Sequence, residues 1–123
     1  MHAIWVGEYG GPELMTWKTL PDPVAGPGEA LVRLAVAGVN FMDTGARTRP
    51  LPGWSAPTAL GVEGMGYVTA LGDGVAELAV GDRVACVHHM GSYAEQLAIP
   101  VESLVKVPDD VDDERAAALM MQG

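Results

Sequence analysis

Apolar and polar positions alternate along most of the chain, and glycine or proline interrupts them every few residues, the pattern of short strands joined by turns. Residues 2–6 read as a short strand closed by "GEYGGPE", and residues 14–20 as a second strand returning antiparallel. "PDPVAGPGE" is too rich in proline and glycine for a helix or a central strand, so it is a loop. Residues 29–39 form the longest predicted strand. Val32, Leu34 and Val36 share one face of it, and Arg33 points the other way. "RTRPLPGWSAPTALG" reads as a long loop with three prolines, functional or disordered, and Trp54 suggests that it folds back onto something. "GYVTALGDGV", "GDRVACVHH", "SYAEQLAIP" and "SLVKVP" complete a set of seven or eight strands. Frequent glycine turns between them favour a barrel or sandwich.

The pattern changes at residue 112. In "DDVDDERAAALMMQG", Asp112 is a good N-cap, and Asp113 and Glu114 favour the positive end of a helix dipole. "AAALMM" follows with no polar face, so the helix is expected to bury itself on all sides. Either it packs wholly against the barrel, or a second domain should begin there. The expected division is a β domain over residues 1–111 and a connecting helix over 112–123.

Composition narrows the function classes. The chain has 123 residues, enough for one domain, and is 49% hydrophobic. Seven basic against sixteen acidic residues give a net charge of −9, which argues against nucleic acid. The single cysteine cannot form an internal disulfide. The N-terminus lacks the basic region of a secretory signal, and no uninterrupted apolar run approaches the ~18–20 residues of a membrane helix. A cytoplasmic domain is the expectation.

Candidate chemistry is sparse. Gly61, Gly64 and Gly66 in "GVEGMGYVT" miss the G-x-G-x-x-G spacing and lead into a strand, so tight turns and close backbone packing explain them better than a dinucleotide. Cys86 and His88 share a strand face while His89 faces away, and two ligands do not make a zinc site. A buried cysteine and a packed histidine are the simpler reading. No Ser-His-Asp signature is present, and Asp109, Asp110, Asp112 and Asp113 read as a solvated helix start. Asn40 and Asp43 stand where the long strand ends, and both residue types commonly bond nearby backbone to start turns or helices. Glu63 lies between glycines in an apolar setting, so it is expected to be buried and paired, with Arg83 or Arg47 as candidate partners.

Taken in order, "GGPE", "AGVNFMD", "LGVEGMGYVTALGDGV", "VGDRV", "GSYAEQLAIP" and "VPDDVDDERAAAL" resemble the N-terminal part of the medium-chain dehydrogenase/reductase superfamily, in its quinone oxidoreductase or zeta-crystallin branch. The resemblance implies a mainly β, GroES-like, partly open barrel with short helices and a C-terminal helix leading toward a Rossmann domain. That second domain would bind NADPH and make a homodimer. Zinc-dependent relatives carry Cys where this chain has Asn40 and His where it has Val62, so the resemblance points to the zinc-independent branch, with no metal. It implies hydride transfer to a quinone or conjugated carbonyl, with Asn40, Asp43 and Arg47 as catalytic candidates and Asn40, Phe41 and Gln122 toward the cofactor. Arg47 would bind the Asp43 carboxylate or approach substrate. Relatives often carry an aromatic residue where this chain has Gly45, so a wider pocket is expected. The alternatives are an enoyl reductase of enones or acyl thioesters, and a non-enzymatic co-chaperonin-like binding domain.

Overall fold

The computed structural model describes residues 1–50, 55–87 and 91–122, the last four by their backbone alone. Its frame is the longest strand, β3 (Glu29–Gly38), which pairs antiparallel on both sides. β5 (Glu63–Leu71) lies along one edge and β7 (Gln96–Pro100) along the other. β6 (Arg83–Val87) and β8 (Leu104–Lys106) extend this sheet in the order β7-β3-β5-β6-β8. A second sheet places β1 (His2–Val6) between β2 (Met15–Thr19) and the two-residue β4 (Thr58–Ala59).

Residues 92–95 stitch the sheets together. Ala94 bridges Ala3, Ile4 N–H donates to the Tyr93 carbonyl at 2.8 Å, and Leu34 N–H donates to the Glu95 carbonyl at 2.9 Å. The result is the mainly β architecture expected from the alternating pattern.

The core follows that alternation. Val32 is buried with Ala30, Val68 and Val84, Leu34 packs against them, and Arg33 is exposed. Each buried valine contributes about 1.5–3 kcal/mol. The glycines behave as structural residues. Gly61 has φ +97°, a backbone conformation that side chains disfavour. A Cβ on Gly66 would collide with the Arg33 carbonyl of β3. Glycine there lets the two central strands approach.

Two expectations need correcting. Part of the supposed loop over 47–61 is ordered: helix α1 (Met42–Thr48) takes its first two residues and β4 its end. Short elements of this kind carry too few residues for a period to show. Trp54 and the histidines at 88 and 89 lie outside the described residues. Arg83 does not pair with Glu63. Its guanidinium donates to Asp113 Oδ1 at 2.7 Å, the Val111 carbonyl at 2.7 Å and the Pro108 carbonyl at 3.2 Å. The hydrogen bond to Asp113 raises the Arg83 pKa.

That arginine fastens the start of α2 (Asp113–Gln122) to the barrel. Asp112 caps the helix as expected, its Oδ1 accepting from Arg115 N–H at 2.8 Å. Ala116 and Ala117 are buried with Met65 and Ala85, but Glu114, Arg115 and Ala118 are exposed, so among the described side chains the helix buries one face rather than all of them.

Candidate functional site

Asn40 follows directly on the end of β3 and is 7% exposed. Its Nδ2 donates to Glu63 Oε1 at 3.0 Å. Glu63, 1% exposed at the start of β5, donates its backbone N–H to Ser92 Oγ at 3.1 Å. Among the described residues the expected pairing of Glu63 with Arg83 or Arg47 does not form, because both arginines bond elsewhere, and the neutral Asn40 amide donates to it.

The backbone turns at Asn40 and enters α1. Asp43 N–H donates to the Asn40 carbonyl at 3.0 Å. In return Asp43 Oδ2 accepts from Asn40 N–H at 3.1 Å. An acidic side chain in the first turn of α1 thus reaches back to a backbone N–H just ahead of the helix. The local role expected of these residues is present, but they also face outward into a site.

Tyr93, on the stitching segment, donates its hydroxyl to the same Asp43 Oδ2. Burial, then the hydrogen bond to Asp43, holds the phenol well above its ordinary pKa, so it remains a donor. Asp43 is 6% exposed, and its Oδ1 is buried with no hydrogen-bond partner among the described residues.

These groups border a pocket of about 250 Å3 lined by Met15, Val39, Asn40, Asp43, Thr44, Arg47, Leu60 and Tyr93. Its wall at Leu60 and Tyr93 belongs to a small apolar cluster with Val6 and Ala46. A larger cleft of about 370 Å3 lies over Trp17, Ala35 and Glu95, but no buried carboxylate lines it.

The predicted site residues thus separate. Asn40, Asp43 and Arg47 come together at one pocket. Arg47 does not bind Asp43, however. Its Nε donates to the Gly10 carbonyl at 3.0 Å, and its own carbonyl accepts from Gly10 N–H at 3.0 Å, tying α1 to the β1–β2 connection. Phe41 is 90% exposed beside the pocket but does not line it. Gly45 lines a neighbouring groove rather than this pocket. Gln122 lies on the last turn of α2, and its side chain is outside the described residues.

Tyr93 was not foreseen as a site residue. The motif "GSYAEQL" contained it, but nothing in its spacing connected it to a residue fifty positions earlier.

Asn40 is held by Glu63, Val62 is an apolar side chain with no exposure, and no three metal-ligating side chains gather among the described residues. Cys86 is buried. Desolvation, with a smaller contribution from Glu63, pushes its thiol up to about 11, so it is a poor nucleophile at neutral pH. No helix among the described residues is long and apolar enough to cross a membrane.

The alcohol dehydrogenase GroES-like domain model matches residues 26–109. The chain is 41% identical over 116 residues to a quinone oxidoreductase of Pseudomonas aeruginosa, covering 94% of this chain and 36% of that protein. It is 37% identical over 127 aligned positions to a 2-haloacrylate reductase of Burkholderia sp, covering 98% of this chain and 38% of that protein. It superimposes on the Escherichia coli quinone oxidoreductase complexed with NADPH with a TM-score of 0.88 at 30% identity, over 95% of this chain and 36% of that one. The chain thus spans a little over a third of the length of the relatives it matches.

Proposed function

The chain belongs to the alcohol dehydrogenase GroES-like domain family of the medium-chain dehydrogenase/reductase superfamily, and we propose that it serves as the catalytic domain of a zinc-independent, NADPH-dependent quinone oxidoreductase. The observation that carries this reading is the pocket at the end of β3, where apolar walls surround a few convergent polar groups. The names of its relatives supply the reaction class.

The nicotinamide of NADPH, when bound, supplies a hydride. Val39 and Phe41, 84% and 90% exposed, offer an apolar edge beside the pocket suited to a flat ring. This chain's own residues place and shield. Asn40 is fixed by Glu63, so its backbone and amide hold one geometry at the pocket's inner end. Met15, Leu60 and Tyr93 exclude water from a ring seated there. Arg47 sits in the lining with its guanidinium anchored at Nε, leaving its terminal groups to meet a carbonyl oxygen. The nucleotide itself would be held by a second domain, as the greater length of the relatives suggests.

A second reading, reduction of a conjugated carbonyl or carboxylate, has specific support in the 2-haloacrylate reductase relative. Both are tested together by joining residues 1–123 to the remaining part of the Pseudomonas aeruginosa relative and following NADPH oxidation with a quinone and with a 2-haloacrylate. Faster turnover of the quinone is expected. Oxidation of NADPH with neither, in a folded fusion that binds NADPH, would overturn the reading in favour of a binding domain.

A further inference from the structure

Asp43 holds one carboxylate oxygen that nothing in the described residues satisfies. Oδ2 receives Asn40 N–H and the Tyr93 hydroxyl, whereas Oδ1 is buried without a donor. A buried acceptor in that state is unfavourable and calls for an explanation. Nearby donors of the lining do not reach it: the Thr44 hydroxyl bonds the Phe41 carbonyl at 2.6 Å, Arg47 Nε bonds Gly10, and the terminal nitrogens of Arg47 make no hydrogen bond to Asp43. The same side chain lines the pocket, whose other walls at Met15, Val39 and Leu60 are apolar. At about 250 Å3 the space lies below the ~300–1,000 Å3 of sites for drug-sized ligands and suits a single substituted ring.

We propose that Asp43 Oδ1 accepts a hydrogen bond from a phenolic hydroxyl, so that the pocket binds the reduced, hydroxyl-bearing form of its ring ligand more tightly than the oxidised form; the proposal rests on the reductase reading of the same site. The chemistry is one of sign. A quinone oxygen offers only lone pairs, which a carboxylate oxygen repels. The hydroquinone made from it offers O–H donors, and a hydrogen bond to a charged acceptor is the stronger kind. Such a site favours the product of reduction over the substrate.

The test uses two redox-quiet rings that differ in a single donor, 4-methoxyphenol and 1,4-dimethoxybenzene, titrated into the 123-residue chain by NMR. The phenol is expected to bind about tenfold more tightly, with shifts at the methyl groups of Met15 and Leu60. Asp43→Asn should cancel or invert the preference. Its carbonyl oxygen would take the place of Oδ2 between two donors, and its NH2 would stand in the place of Oδ1. Val39→Trp, a change at an exposed position, should obstruct the pocket and weaken both ligands, which keeps the test decisive if Asp43→Asn does not fold. Equal affinities, or shifts that map elsewhere, would overturn the proposal. Donor preference without turnover in the two-domain fusion would remove the reductase reading alone, and turnover without donor preference would remove this one alone.

Discussion

The Tyr93 hydroxyl donates to the Asp43 carboxylate across fifty positions of chain, joining the segment that links the two sheets to the helix that follows β3. Tyr93→Phe keeps the ring among Val6, Ala46 and Leu60 and removes only this donor. Stability should fall by about 1–3 kcal/mol, the range for a hydrogen bond to a charged group and its unsatisfied remainder. Urea denaturation should show a lower midpoint and an unchanged slope. A midpoint equal to that of the parent would mean that the bond contributes nothing.

Asn40 meets Glu63 as a neutral amide against a buried carboxylate at 3.0 Å. Asn40→Asp would replace that donor by a second buried carboxyl group facing the first. A loss of about 2–4 kcal/mol is expected. Thermal melts at neutral pH check it, and an unchanged melting temperature would contradict it.

Cys86 and Tyr93 both hold their protons more tightly when folded than when unfolded. For a raised pKa, the native state keeps a proton that the unfolded state has released, so stability falls as pH rises between the two values. The Cys86 contribution is intact below its ordinary value of 9.0 and is lost by about 11. Cys86→Ala should flatten the stability profile over this window. At pH 8 the native thiol should react with a disulfide reagent only as fast as the chain opens.

Arg83 reaches two carbonyls and one carboxylate around the start of α2. Lysine keeps the charge but not the planar fork. Arg83→Lys should loosen the helix while leaving the barrel folded. Hydrogen exchange at the Ala116 amide, which bonds the Asp112 carbonyl at 3.0 Å, should quicken by about tenfold. The β3–β5 amides should not change, and uniform acceleration would contradict a local role.

Much of the fold was legible because its strands obey a simple period. Val32, Leu34 and Arg33 divide between faces as alternation requires, and Asp112 caps its helix as its residue type suggests. β4 and α1 were not legible: partners distant in sequence, rather than their own pattern, fix them. The site was half legible for the same reason. Asn40 and Asp43 announce themselves as polar groups at a strand end. Which donor Asp43 receives depends on tertiary pairing, so Tyr93 was overlooked and Arg47 was expected in its place. The arginines expected to neutralise Glu63 were equally misjudged, since charge alone does not tell which backbone carbonyls compete for a guanidinium.

The bridge between Ala3 and Ala94 sets an order of assembly for the nascent chain. β1 is made well before the segment it bridges, and about ninety residues must follow before that neighbour exists, an interval of several seconds at ~5–20 residues per second. Until then β1 can pair only with β2 and β4, and the pocket lacks the wall and the donor that Tyr93 brings. Contacts of such long sequence separation also slow folding. The pocket at the end of β3 therefore cannot be complete before Tyr93 is made, and a chain arrested ahead of residue 93 would carry Asp43 without the donor and wall that Tyr93 supplies.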